Sequence, residues 1–211
     1  MTRLFAALRL SAAIAGATAV IATFAYTAEK GPINPFNFFG FFTLQSNIFS
    51  VLVLGTAAIV GITGRAQSRA LEVARGCVAT YMIIVGVVYN TLLTGLDGGV
   101  LLPWANDILH IWIPLYLAAD WILFGDRSPL AWKYFPVVLA YPVVWLTVVL
   151  IRGATDGWVP YPFLDPATGY GLVAIYAIVI AIAFALVGAL VWALSRVRVL
   201  TPLAPVGRGQ R

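Results

Sequence analysis

The chain has 211 residues, 62% hydrophobic and 10% charged, with thirteen Lys and Arg against eight Asp and Glu. A soluble domain is about 25% charged, so this composition excludes an ordinary water-soluble globule and predicts an integral membrane protein. The net charge of +5 fits contact with anionic lipid rather than nucleic acid, because no aromatic–basic interleaving accompanies it.

Six apolar runs reach the ~20 residues that cross a bilayer core: 4–27, 39–61, 71–93, 104–124, 131–151 and 169–194. A barrel strand would alternate over about ten residues, so all six are predicted as helices. The expected fold is all-α, a six-transmembrane-helix bundle in one domain over 1–200, followed by a basic tail at 201–211. The first run starts with Arg3 and Arg9 and is rich in small residues, as a signal peptide would be. Its apolar stretch exceeds the usual signal core of about 7–15 residues, so it is expected to stay as the first span.

Charge placement supports six spans. Arg3, Arg9, Arg65, Arg69, Arg75, Arg127, Lys133, Arg196, Arg198, Arg208 and Arg211 fall on one side, and only Lys30 and Arg152 on the other. The positive-inside rule then predicts both termini in the cytoplasm. Losing the first run would leave five spans and split the basic termini across the membrane.

The second run opens with FFTLQSNIF. Thr43, Ser46 and Asn47 share a helical face at i, i+3 and i+4, whereas Gln45 points elsewhere. Such a seam commonly glues helices together in a membrane. The fourth run, LPWANDILHIWIPLYLAADWILF, holds the only histidine, His110. An ionisable group in an apolar span is costly and marks a functional site by default. Spans two and four run in the same direction. Thr43 lies ~6 Å and His110 ~9 Å into them along the helix axis, so the two are expected at similar depth, with Asn90 and the YPFLDP segment on the same side.

That shallow layer therefore gathers Thr43, Asn47, Asp107, His110, Tyr161 and Asp165. A threonine hydroxyl needs a base to become a nucleophile, and a neutral imidazole is the usual base near pH 7. Asp107, three residues before His110, is expected to orient the ring. N–H groups at the helix starts are candidates for holding an oxyanion. Asp120 is ten residues beyond His110, or ~15 Å along the helix. It is expected to pair instead with Arg75, Arg127 or Lys133. Pro114 is expected to kink the helix between the two sites. Cys77 is the lone cysteine and no metal-spaced His/Cys cluster exists, so no metal or cofactor is implied.

FFTLQSNIF, NDILHIWIPLYLAADWILF and WVPYPFLDP follow one another in an order that resembles the androgen-induced (FAR/AIG-type) integral membrane hydrolases, and more closely their bacterial six-span relatives. The resemblance covers roughly spans two to six. It implies a cofactor-free hydrolase of fatty-acid esters, with Thr43 as nucleophile and His110 as its base, in a bacterial cell membrane. Asn47, Asp107, Tyr161 and Asp165 are expected to support the pair or bind substrate. The expected partners are membrane lipids and an amphipathic lipid ester. The competing expectation is a non-enzymatic transporter, channel or lipid-binding protein built on the same polar layer.

Overall fold

The computed structural model describes residues 2–95 and 102–200; the expected basic tail at 201–211 lies outside the described residues. Eight α-helices follow in order: α1 Thr2–Lys30, α2 Pro35–Phe38, α3 Phe42–Ile62, α4 Arg69–Val88, α5 Pro103–Asp107, α6 Ile113–Leu123, α7 Pro136–Thr155 and α8 Tyr170–Leu194. The fold is all-α, as expected. Among the described residues five helices are long and apolar enough to cross a membrane: Arg3–Lys30, Phe42–Ile62, Arg69–Leu93, Trp132–Thr155 and Tyr170–Leu194.

The fourth predicted span, 104–124, is not one regular helix. It runs from α5 through a π turn, Ile108–Trp112, into α6. Pro114 supplies the physical reason, because it has no N–H with which to close an α turn onto the His110 carbonyl. The ladder widens here, and Ile113 N–H pairs with Ile108 O. A second π turn, Tyr89–Leu93, extends α4.

Helix α4 is the most enclosed of the five and packs against α3, α6 and α8. Its start is set locally: Ser68 Oγ accepts Leu71 N–H at 3.2 Å as an N-cap, with Glu72 in the first turn. The central contacts are aromatic: Phe42 from α3 meets Tyr81, Tyr141, Trp145 and Phe184 with ring centroids 5.0–6.0 Å apart. Lipid tails are as apolar as these rings, so close packing rather than hydrophobic transfer holds the helices together inside a bilayer. On α8, Ile175, Ile178, Ile182, Leu186 and Leu190 form an exposed stripe at three- and four-residue spacing. Such a stripe suits acyl chains as its solvent.

Candidate functional site

The site is built around the first turn of α3. Phe41 enters the helix in an extended conformation and offers no side-chain cap, so the first N–H groups need partners from elsewhere. Tyr161 provides one. The segment after α7 folds inward through a 3-10 turn at Pro162–Leu164, with Leu164 buried. The Tyr161 ring stacks on Phe163 at 5.3 Å. Its hydroxyl then accepts Thr43 N–H at 3.3 Å and lies 3.3 Å from Thr43 Oγ1. Burial pushes the Tyr161 hydroxyl up from its ordinary pKa, against a smaller opposing pull from Thr43. The phenol therefore stays protonated at neutral pH. Its proton is free for Thr43 Oγ1, which leaves the threonine proton for a base.

One turn further on, Asn47 is fully buried. Its Nδ2 donates to Thr43 O at 2.9 Å and to Leu109 O at 3.2 Å. Asn47 thereby ties α3 to the π turn that carries His110. Its Oδ1 has no donor among the described residues. Gln45 faces away, as expected: its Nε2 donates to Phe39 O at 2.7 Å and its Oε1 accepts Tyr141 O–H at 2.9 Å.

His110 pairs through Nδ1 with the Asn106 carbonyl at 3.0 Å. Its ring lies on Tyr89 with centroids 3.9 Å apart and planes 24° apart. Asn106 Nδ2 donates to Tyr89 Oη at 2.7 Å. Asp107 was expected to orient the imidazole; instead its side chain is exposed and Asn106 holds the ring nitrogen. A π turn takes more residues per turn than an α turn, so the residue beneath His110 is Asn106. Asp165 is local too, accepting Ala167 N–H at 2.9 Å to start the turn Pro166–Thr168. Tyr89 and Asn106 were not singled out in the sequence. Their only signal is the four-residue spacing from Asn106 to His110.

Between α3, α4, α7 and α8 lies an apolar cavity of about 150 Å³. Its wall includes Thr43, Val85, Tyr89, Leu146, Tyr161 and Ala177. A dry cavity of roughly this size holds a benzene-sized apolar group. Four of its lining residues carry a polar side-chain group: Thr43, Tyr89, Tyr161 and Trp145, whose indole N–H is taken by Gly40 O. His110 is not on the wall; it lies against Tyr89, which is. The structure thus joins Thr43, Asn47 and Tyr161 by hydrogen bonds and brings the His110 turn to them through Asn47. Thr43 and His110 share no direct hydrogen bond in this arrangement.

A second polar cluster forms elsewhere in the bundle. Arg9 Nε meets Asp120 Oδ1 at 2.7 Å, Arg75 Nη2 meets Asp120 Oδ2 at 2.9 Å, and both arginines also reach Asp126. Gln67 accepts from Arg75 at 2.8 Å and donates to Asp126 at 3.0 Å. Asp120 therefore pairs with Arg75, one of the three cations expected, and with Arg9, which was not. Arg127 donates instead to the carbonyls of Phe124, Leu194 and Val197. Compared with known proteins, the chain matches no family model, no curated protein and no solved structure.

Proposed function

We propose that the protein is a six-span lipid-ester hydrolase of a bacterial cell membrane, with both termini cytoplasmic, Thr43 as nucleophile and His110 as base. The observation that carries this reading is an apolar cavity lined by both Thr43 and Tyr161, whose hydroxyls are 3.3 Å apart. An acyl chain in the cavity would bring its ester to Thr43. The Thr43 oxygen attacks the carbonyl, its proton passes to His110, and the leaving alkoxide takes that proton. Water then cleaves the acyl-threonine to the free acid.

The run Pro103–Leu123 supports the sixth span. At 1.5 Å per residue it is about 31 Å long, close to the ~30 Å hydrocarbon core. The eleven-to-two split of cations supports the orientation. The resemblance of FFTLQSNIF and its companion motifs to the androgen-induced family points to the same chemistry.

A second reading, lipid binding without turnover, is favoured by the missing direct bond between Thr43 and His110. One experiment separates the two. Purified protein in nanodiscs is treated with a serine-hydrolase-type fluorophosphonate probe and assayed against a panel of acyl esters. Labelling and turnover are expected for the native chain and lost in Thr43→Ala and His110→Gln. Labelling that persists in Thr43→Ala refutes the nucleophile, and lipid binding without any hydrolysis favours the second reading.

A further inference from the structure

His110 is held by two residues, Asn106 and Tyr89. Its Nδ1 lies 3.0 Å from Asn106 O. A carbonyl oxygen only accepts, so Nδ1 carries the hydrogen in this pair, and the lone pair of the neutral ring is then on Nε2. Free histidine in water prefers the opposite tautomer, with the proton on Nε2. Keeping the Nδ1–H form requires a ring that does not turn.

The surrounding geometry supplies that constraint. One face of the imidazole is covered by Tyr89 at 3.9 Å and 24°. Tyr89 is itself anchored, because its hydroxyl accepts Asn106 Nδ2 at 2.7 Å. Asn106 therefore takes the imidazole proton with its backbone and fixes the stacking ring with its side chain. The loop closes on itself: His110 to Asn106, Asn106 to Tyr89, Tyr89 to His110. Both ring-bearing segments are π turns, Tyr89–Leu93 and Ile108–Trp112, a geometry that recurs at functional sites. Gly86 makes their approach possible. A Cβ there would stand 3.0 Å from Pro114 Cβ and 3.6 Å from His110 O.

We infer that Tyr89 and Asn106 are positioning residues for His110, holding its imidazole as the Nδ1–H tautomer so that Nε2 is the free base. The inference rests on the reading of His110 as the base of a hydrolase. Tyr89 has a second consequence for that site: its ring lines the acyl cavity and also covers the imidazole. A side chain that merely filled space would leave the tautomer to the Asn106 carbonyl alone, and its removal would change nothing at the ring nitrogens.

His110 is the only histidine in the chain, so labelling histidine with nitrogen-15 gives one pair of ring signals from the intact protein in nanodiscs. Spectra are taken near pH 8, above the ordinary imidazole pKa of about 6.5. The native protein is expected to show a pyrrole-like Nδ1, a pyridine-like Nε2 and ring protons shifted upfield by Tyr89. Tyr89→Leu is expected to give mixed tautomers without the upfield shift, and Asn106→Ala the same change at smaller amplitude. Tyr89→Phe, which keeps the stack, is expected to retain the ring shift. A native spectrum with the proton on Nε2, or native-like ring signals in both Tyr89→Leu and Asn106→Ala, overturns the inference. If Tyr89→Leu does not fold, Asn106→Ala decides alone.

Activity keeps the two readings apart. Under the hydrolase reading, Asn106→Ala, which keeps the carbonyl and loses only the anchor of Tyr89, lowers kcat by a fraction of the ~10²- to 10⁴-fold worth of general-base catalysis, with KM unchanged. A fixed tautomer without any ester turnover upholds the positioning pair and removes the hydrolase. Turnover from a ring whose tautomer is unfixed does the reverse.

Discussion

Asp120→Asn is the most direct probe of what holds the bundle together at the buried ionic cluster. Asp120 accepts Arg9 Nε at 2.7 Å and Arg75 Nη2 at 2.9 Å, and no side chain in these pairs is more than 3% exposed. Charge-assisted bonds contribute about 1.5–3 kcal/mol each, or about 3–6 kcal/mol for the two. Removing one partner of a buried pair costs about 3–5 kcal/mol, so the two routes agree. With each kcal/mol worth about 2–4 °C at this chain length, the melting temperature is expected to fall by about 6–20 °C. The reason is charge imbalance: Arg9 and Arg75 would face Asp126 alone. Arg9→Met combined with Asp120→Asn restores one guanidinium to one carboxylate and is expected to melt above the single variant. The assay is intrinsic tryptophan fluorescence during heating in detergent. A fall of less than about 2 °C, or a double variant no more stable than the single, refutes the charge-balance reasoning.

Ala177→Phe is expected to fill much of the apolar cavity. Loss of about two to three buried methylenes at ~0.8 kcal/mol each weakens binding of a fluorescent fatty acid by about 15- to 60-fold; unchanged affinity would move the acyl site elsewhere. The pH dependence of stability should carry the mark of Asp126. Burial pushes its carboxyl up, but hydrogen bonds and charge from Arg9 and Arg75 outweigh that and hold it below the ordinary carboxylate range. Its contribution is present above the unfolded pKa of about 3.9 and lost as pH falls through the lower folded value. The melting temperature of the native chain should therefore drop steeply below about pH 4, and Asp126→Asn should start lower at neutral pH and fall less. Parallel curves for the two would exclude Asp126 as the titrating group.

Much of this architecture is legible in the sequence because hydropathy and length act locally. Five of the runs found by apolarity alone are membrane-length helices, and the sixth is helical with a π turn just before Pro114. The pairing of Asp120 with Arg75 could be anticipated from depth, since a charge in an apolar span must find its opposite. Arg9 was not anticipated because the first helix has no sequence signal for its rotation against the bundle. The i−3 spacing on an α-helix points to Asp107 as the partner of His110, and the π turn moves the contact to Asn106 at i−4. Tyr161 reaches Thr43 only because the segment after α7 folds back into the bundle, a tertiary fact that alternation and propensity do not encode.

The two polar clusters differ in a way that separates structure from function. In the ionic cluster, two carboxylates are matched by two guanidiniums, and Gln67 bridges Arg75 to Asp126. Such a cluster is rigid, and substitution within it reads out as stability. The Thr43 cluster carries no ion pair among the described residues and borders the apolar cavity. Asn47 Oδ1 has no donor among the described residues, the Asn106 pairing leaves a lone pair on His110 Nε2, and Thr43 is part of a cavity wall. Unmet hydrogen-bonding capacity in an apolar phase is costly unless something else supplies the partner. Arg75 Nε in the ionic cluster also lacks an acceptor among the described residues, so what distinguishes the Thr43 cluster is its place beside an apolar cavity, and that is where the proposed ligand site falls. Thr43, Tyr89 and His110 are therefore the positions where substitution should cost function before it costs stability, whereas Asn47, buried and bonded to two carbonyls, should cost both.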